Sequence, residues 1–217
     1  MATCSPEEID RQNKFSSKSK WFQLYPPKDL EILDSLLARV KDSGFSTLVV
    51  TIDIPAPSRR ERSKHAGLNM PLKPSLRLVV DGLTHPKWTF ATVKNGLPRL
   101  KTVESYANNN SLKFVSRFVG NRLGGVIDWE YIALIRSKWE GPMILKGVLH
   151  SDDAIKAKQV GCDGVYVSNH GGRQFDGGPS PLNQLLKIRE VVGHDYPLIY
   201  DSGIRSGLDI MKAIYAG

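Results

Sequence analysis

Two strings in this sequence carry chemically capable residues at spacings that let them cooperate. The first is Ser168-Asn169-His170-Gly171-Gly172-Arg173-Gln174. Its histidine supplies a proton acceptor near neutral pH. The arginine three residues on supplies a two-pronged clamp for a carboxylate or phosphate. The glycines between them let backbone approach a ligand closely. Together these residues describe an anionic substrate held beside a base. The second string is Asp201-Ser202-Gly203-Ile204-Arg205-Ser206-Gly207. Small residues, a helix start and an arginine there make a phosphate cradle. Lys146 adds a cation at the end of an apolar run, where it needs an anionic or electron-rich partner.

Such residues need elements to hold them. Trp21 to Tyr25 reads as a strand broken by Pro26-Pro27, and residues 28–42 follow with Leu30, Leu33, Leu37 and Val40 at helical spacing. Gly44 fits a helix stop. Ser46 to Ile52 is a β-branched strand, and Asp128 to Trp139 is a helix. Pro142 to Lys146 is a strand, followed by a helix to Val160 that Ser151-Asp152-Asp153 caps and opens with acid. Gly164 to Val167 is a strand, Pro181 to Val192 a helix, Pro197 to Tyr200 a strand and Ser206 to Tyr215 a helix. Strands that read as continuous apolar runs, alternating with helices, predict a parallel sheet covered by helices. An open doubly wound sheet and a (β/α)8 barrel both satisfy that pattern. The strand ends favour the barrel. Gln23 and Tyr25, Thr51 and Asp53, Lys146, Ser168 to His170, and Asp201 give each of the five strands a polar C-terminal end. In a barrel those ends meet at one mouth, whereas in an open sheet only strands beside the switch point share a site.

The chain has 217 residues, 41% hydrophobic and 24% charged, which fits a globular protein and excludes global disorder. No apolar run approaches the ~18 residues of a membrane-spanning helix, and the N-terminus shows no basic-then-apolar leader. Cys4 and Cys162 are the only cysteines, too few for a disulfide framework or zinc site, so a cytoplasmic setting is expected. The net charge of +8 is unevenly spread: residues 54–125 hold thirteen Lys and Arg against three acids, and the rest of the chain is slightly acidic. That stretch also breaks the strand–helix alternation. It contains Leu76-Arg77-Leu78-Val79-Val80 and Trp88-Thr89-Phe90. An apolar-plus-basic excursion suits an anionic membrane surface, and a solvated excursion is the other reading. Nucleic acid is disfavoured, since aromatics are few and no recognition motif is present.

The sequence resembles the FMN-dependent α-hydroxy-acid dehydrogenase/oxidase family, which includes glycolate oxidase, quinone-linked lactate dehydrogenases and mandelate dehydrogenase. The resemblance rests on Trp21-Phe22-Gln23-Leu24-Tyr25, on Thr51-Ile52-Asp53-Ile54-Pro55 followed by Arg59-Arg60-Glu61-Arg62, and on Lys146-Gly147-Val148. It is completed by the two strings above, in order along nearly the whole chain. His85-Pro86-Lys87-Trp88 and the basic excursion resemble the membrane-associated lactate and mandelate dehydrogenases more than the soluble oxidases. The resemblance implies a single FMN-linked TIM-barrel domain over 1–217 that oxidises an L-2-hydroxy acid and passes electrons to a quinone-type acceptor. It implies His170 as the base, Asp53 as its partner, and Tyr25 in contact with the substrate oxygen. Arg173 would grip the carboxylate and Arg60 would serve as a supporting cation. For FMN it implies Lys146 beside the N1 and O2 edge, Gln23, Thr51 and Ser168 on the ring, and Asp201, Gly203 and Arg205 at the ribityl and phosphate part. No metal is implied. A homo-oligomer, placed in the cytoplasm with peripheral contact at the inner face of the membrane, is the expected setting. His65, His85, His150 and His194 are read as structural.

The pattern is incomplete. Only five of the family's eight strands are placed, and Ser58 stands where a glycine is often found. The chain therefore reads as an internal piece of a barrel, with open sheet edges, and is expected to fold poorly without the rest. A non-catalytic remnant and another FMN or phosphate-binding barrel enzyme, such as an isomerase, are the alternative readings. The carboxylate clamp beside the base argues against the isomerase.

Overall fold

The computed structural model describes residues 4–12, 20–56, 61, 65, 75–96, 99–107, 115, 118–119, 122–123, 127–175 and 177–217. Its centre is one sheet of five parallel strands in sequence order. These are β1 (Trp21–Leu24), β2 (Thr47–Thr51), β3 (Met143–Val148), β4 (Gly164–Val167) and β5 (Leu198–Tyr200). Sequential order with every neighbour parallel is the pattern of a (β/α) barrel wall, in which each strand returns through a helix. β1 and β5 form the sheet edges.

Successive side chains of a strand point to opposite faces, and the two faces here differ in chemistry. Phe22, Leu24, Leu48, Val50, Leu145 and Val165 pack into the main core against the helices. Gln23, Thr51 and Lys146 point the other way. The register aligns Gln23 with Val49, Thr51 with Lys146, and Lys146 with Tyr166. All five residues of β2 are buried, which explains its unbroken apolar and β-branched composition.

Each helix follows from its own signals. α1 is Pro6–Gln12. α2 (Leu30–Asp42) starts where the Asp29 carboxylate accepts the Glu31 N–H, and it buries Leu33, Leu36, Leu37 and Val40. In the excursion, Ser75 caps α3 (Leu76–Thr84), and Pro86 opens α4 (Pro86–Asn95), as proline suits a first helical turn. A short α5 (Lys101–Glu104) comes next. α6 (Trp129–Lys138) is capped by Asp128. α7 (Ser151–Val160), α8 (Pro181–Val192) and α9 (Gly207–Ala216) complete the set. The sequence places the α7 cap at Ser151. In the structure it is His150, whose Nδ1 accepts the Asp152 N–H at 3.2 Å, while Ser151 is already helical. The α7 terminus is Gly161, whose φ of +90° supplies the left-handed cap. The core is tight. Leu145 is fully buried, so truncation to alanine costs about 2–5 kcal/mol.

Among the described residues of 54–125, α3, α4 and α5 are helical where the sequence shows only a break in the strand–helix alternation. α3 and α4 are clasped by the Thr89 hydroxyl, which donates to the Gly82 carbonyl at 2.6 Å. Their apolar residues face away from the core: Leu76, Leu83, Phe90 and Val93 are 83%, 76%, 69% and 79% exposed. Among the described residues no helix is long and apolar enough to cross a membrane.

Candidate active site

The polar residues that end the strands lie within reach of one another. After β2 the chain leaves through Asp53, and after β4 it turns sharply through His170, which adopts a left-handed φ of +57°. This brings the His170 Nδ1 to 2.9 Å from the Asp53 Oδ1, with the two side chains only 6% and 12% exposed. A carboxylate can only accept, so Nδ1 carries the proton of this bond and Nε2 is the ring nitrogen left for other contacts. Asp53 Oδ2 is buried and has no hydrogen-bond partner among the described residues. Gly147 is what lets Asp53 sit there. β3 is irregular between Lys146 and Val148, Gly147 has φ of +103°, and a Cβ on it would lie 2.6 Å from the Asp53 Cβ.

Arg173 follows one turn later. Its Nε donates to the His170 carbonyl at 2.9 Å, and its terminal nitrogens have no protein partner among the described residues. The guanidinium is thus aimed by the same turn that carries the imidazole. Arg60 lies outside the described residues.

A second cluster lies beside the pair. The Lys146 ammonium donates to Ser168 Oγ at 2.8 Å, lies 3.4 Å from Asp201 Oδ2, and stands 4.9 Å from the centre of the Tyr166 ring. Burial alone would raise the Asp201 carboxyl. Hydrogen bonds from Ser168 and Ser202 and the charge of Lys146 outweigh it and hold the group below its ordinary value. Tyr166 is pushed up by burial and by the adjacent Asp201. On the other side of Lys146, Gln23 Nε2 donates to Thr51 Oγ1 at 2.8 Å and to the Tyr25 hydroxyl at 3.3 Å. Gly203, with φ of +95°, has open space where a side chain would be, and Arg205 beyond it is exposed. The structure therefore brings Asp53, His170 and Arg173 together, sets Lys146, Ser168 and Asp201 in one cluster, and joins Gln23, Thr51 and Tyr25. A cavity of about 250 Å³ opens beside β1, lined by Cys4, Trp21, Gln23, Tyr25 and Val103 among others; neither His170 nor Lys146 lines it. Sequence reasoning missed Tyr166, an inward side chain in an apolar run, and the Ser202 hydroxyl, which accepts the Asn169 and Gly171 N–H groups. Neither carries a spacing signal.

A parallel barrel-type sheet that presents a buried His–Asp pair and an arginine beyond its strand ends, with open backbone at Gly203 nearby, defines a class: barrel enzymes that bind phosphorylated cofactors. The chain belongs to the FMN-dependent dehydrogenase family, whose sequence profile matches residues 1–217. It is 40% identical over 219 residues to an L-lactate dehydrogenase of Pseudomonas entomophila, aligning all of this chain with 57% of that protein. The monotopic membrane protein (S)-mandelate dehydrogenase superposes with a TM-score of 0.90 at 34% identity, over 99% of this chain and 56% of that one. A mandelate oxidase superposes with a TM-score of 0.70 at 28% identity, over 100% of this chain and 52% of that one. The chain thus spans little more than half the length of the relatives it matches.

Proposed function

We propose that the protein oxidises an L-2-hydroxy acid of the lactate or mandelate class to the 2-oxo acid, using FMN, with electrons passed on to a quinone-type acceptor. The observation that carries this reading is the buried 2.9 Å contact between Asp53 and His170, with the Arg173 guanidinium aimed from the same turn.

The residues present fit FMN. Gln23, Thr51, Lys146 and Ser168 form a row of donors and acceptors on the inward side of the strand ends. The open backbone at Gly203 and the exposed Arg205 suit a phosphate. FMN, when bound, supplies a two-electron acceptor that the protein itself lacks. Arg173 binds the substrate carboxylate and so fixes the hydroxyl-bearing carbon. His170 Nε2 takes the substrate proton, and Asp53 stabilises the imidazolium that results. Tyr25 orients the substrate oxygen, and Arg60 adds a supporting positive charge. Lys146, fixed by Ser168 and Asp201, would hold a positive charge beside the flavin.

Peripheral membrane contact belongs to the same proposal. Two short helices that turn apolar residues to solvent, in a stretch rich in Lys and Arg, have the composition of an interfacial element. Access to a quinone dissolved in a bilayer is what such contact would provide.

The test is an anaerobic titration of the FMN-loaded protein with L-lactate and L-mandelate, followed by absorbance. Bleaching of the flavin by either acid is the expected result. Failure to bind FMN favours a non-catalytic relative, and bound FMN that no 2-hydroxy acid reduces favours another reaction on the same barrel. Co-sedimentation with anionic liposomes at low and high salt tests the membrane part, and the absence of salt-sensitive binding would remove it.

A further inference from the structure

Only two non-glycine residues among those described have a left-handed backbone, and they face each other. One is His170, at φ of +57°; the other is Ser202, at φ of +79°. Glycine adopts that conformation without strain and serine does not. A strained residue persists where its surroundings use what it brings. What Ser202 brings beyond a glycine is its hydroxyl. Its Oγ accepts the Asn169 N–H at 3.3 Å and the Gly171 N–H at 3.1 Å, and it donates to Asp201 Oδ1 at 2.8 Å. The Ser202 carbonyl in turn accepts the Tyr200 hydroxyl at 2.9 Å.

The turn that carries the base has lost the strand ladder and must satisfy its amides in another way. The His170 N–H goes to Ser168 Oγ at 3.0 Å, and the Gly172 N–H goes to Asn169 Oδ1 at 3.1 Å. With the two amides taken by Ser202, four consecutive N–H groups are all met by side-chain oxygens. Two of those contacts come from the turn itself, through Ser168 and Asn169; the other two come from Ser202, at another strand end. It grips the amides on both sides of His170.

We infer that Ser202 is a positioning residue for the base: its hydroxyl ties the Asn169–Gly171 turn to the end of β5 and so fixes where the His170 imidazole points. The inference rests on the assignment of His170 as the base, but the tether itself does not. Asp201, which the same hydroxyl contacts, also faces Lys146. The base and the buried ammonium are thereby held in one frame.

The test compares Ser202→Gly and Ser202→Ala with the wild type in the natural polypeptide expressed from its whole gene. Ser202→Gly removes both the hydroxyl and the strain; Ser202→Ala removes the hydroxyl alone. Amide hydrogen exchange is followed by mass spectrometry in peptides covering 164–175 and, as a control, 143–148. Both variants are expected to exchange about tenfold faster in the first peptide and unchanged in the second. Both should also slow anaerobic flavin reduction about tenfold. The glycine variant should melt no lower than the alanine variant. Wild-type exchange in 164–175 for Ser202→Gly would overturn the inference, because backbone shape alone would then suffice. Faster exchange with an unchanged reduction rate would overturn it too, as would loss of the fold in both variants, read by circular dichroism. If the wild type reduces no flavin with any 2-hydroxy acid, the proposed function fails, while the exchange comparison still decides whether the tether exists.

Discussion

Replacing Gly147 by alanine would place a methyl group 2.6 Å from the Asp53 Cβ and 2.7 Å from its Cγ, closer than carbon atoms approach. The backbone at +103° cannot relax toward an ordinary conformation without moving Lys146 or Val148, and both are buried. Two costs follow. The left-handed backbone costs a residue with a Cβ about 1–2 kcal/mol, and the overpacked contact adds about 1–3 kcal/mol. Together that is about 2–5 kcal/mol, which at about 2–4 °C per kcal/mol for a chain of this size lowers the melting temperature by roughly 4–20 °C. The larger effect is on chemistry. Asp53 is the element that can shift, and any shift lengthens the 2.9 Å bond to His170. Positioned general-base catalysis contributes about 10²–10⁴ in rate, so flavin reduction in anaerobic stopped flow should slow by roughly 10² or more. In an Asp53→Ala background the pair is already gone, and Gly147→Ala should then slow the residual rate little, because residues acting as a unit are not additive. A Gly147→Ala protein that melts and reduces flavin like the wild type would refute this reasoning. So would a full additional rate loss in the Asp53→Ala background.

Other outcomes follow from groups outside the site. The Arg39 hydrogen bond to Glu7 outweighs burial and brings the Glu7 carboxyl from 4.5 down to about 2. Its folded-state value is depressed, so the stability it contributes is present above pH 4.5 and is lost as the pH falls toward 2; Glu7→Gln should flatten denaturant-measured stability across that window. Burial pushes the Cys162 thiol up to about 12, so a thiol reagent at pH 8 should leave Cys162 unmodified in the native protein and label it once the chain is unfolded in guanidinium. Changing Leu83, Phe90 and Val93 together to serine should reduce anionic-liposome binding about tenfold or more while leaving anaerobic flavin reduction unchanged. Liposome binding equal to wild type would show that the exposed face of α3 and α4 is not what meets the bilayer.

Much of the scaffold is legible in the sequence because burial on both faces leaves little freedom of composition. Thr47-Leu48-Val49-Val50-Thr51 and Met143-Ile144-Leu145 can be little else than central strands, and the structure buries every one of those residues. His170 and Arg173 announce themselves by residue type and by the glycines between them. The excursion is harder to read. Leu76 to Leu83 carries apolar residues that lie outside the main core, so their spacing bears no imprint of it, and the β-branched Val79-Val80 pair obscures a helix that Ser75 caps. The part played by Ser202 is invisible in principle, because a positive φ belongs to the backbone path and not to the residue type. Tyr166 is hidden for a related reason: in Gly164-Val165-Tyr166-Val167 it reads as one more β-former, and only the register beside Lys146 gives its ring a cation to face.

Lys146 belongs to β3, yet its ammonium is grasped by Ser168 beyond β4 and by Asp201 beyond β5. It works as a rivet through three neighbouring wall segments, set at the rim where the ladder of backbone bonds runs out. The grip on the outermost segment is electrostatic, so it loosens whenever another negative group draws the ammonium away. By linkage the reverse holds with equal free energy: whatever firms up that outer segment lowers the readiness of the rim to accept a negative charge.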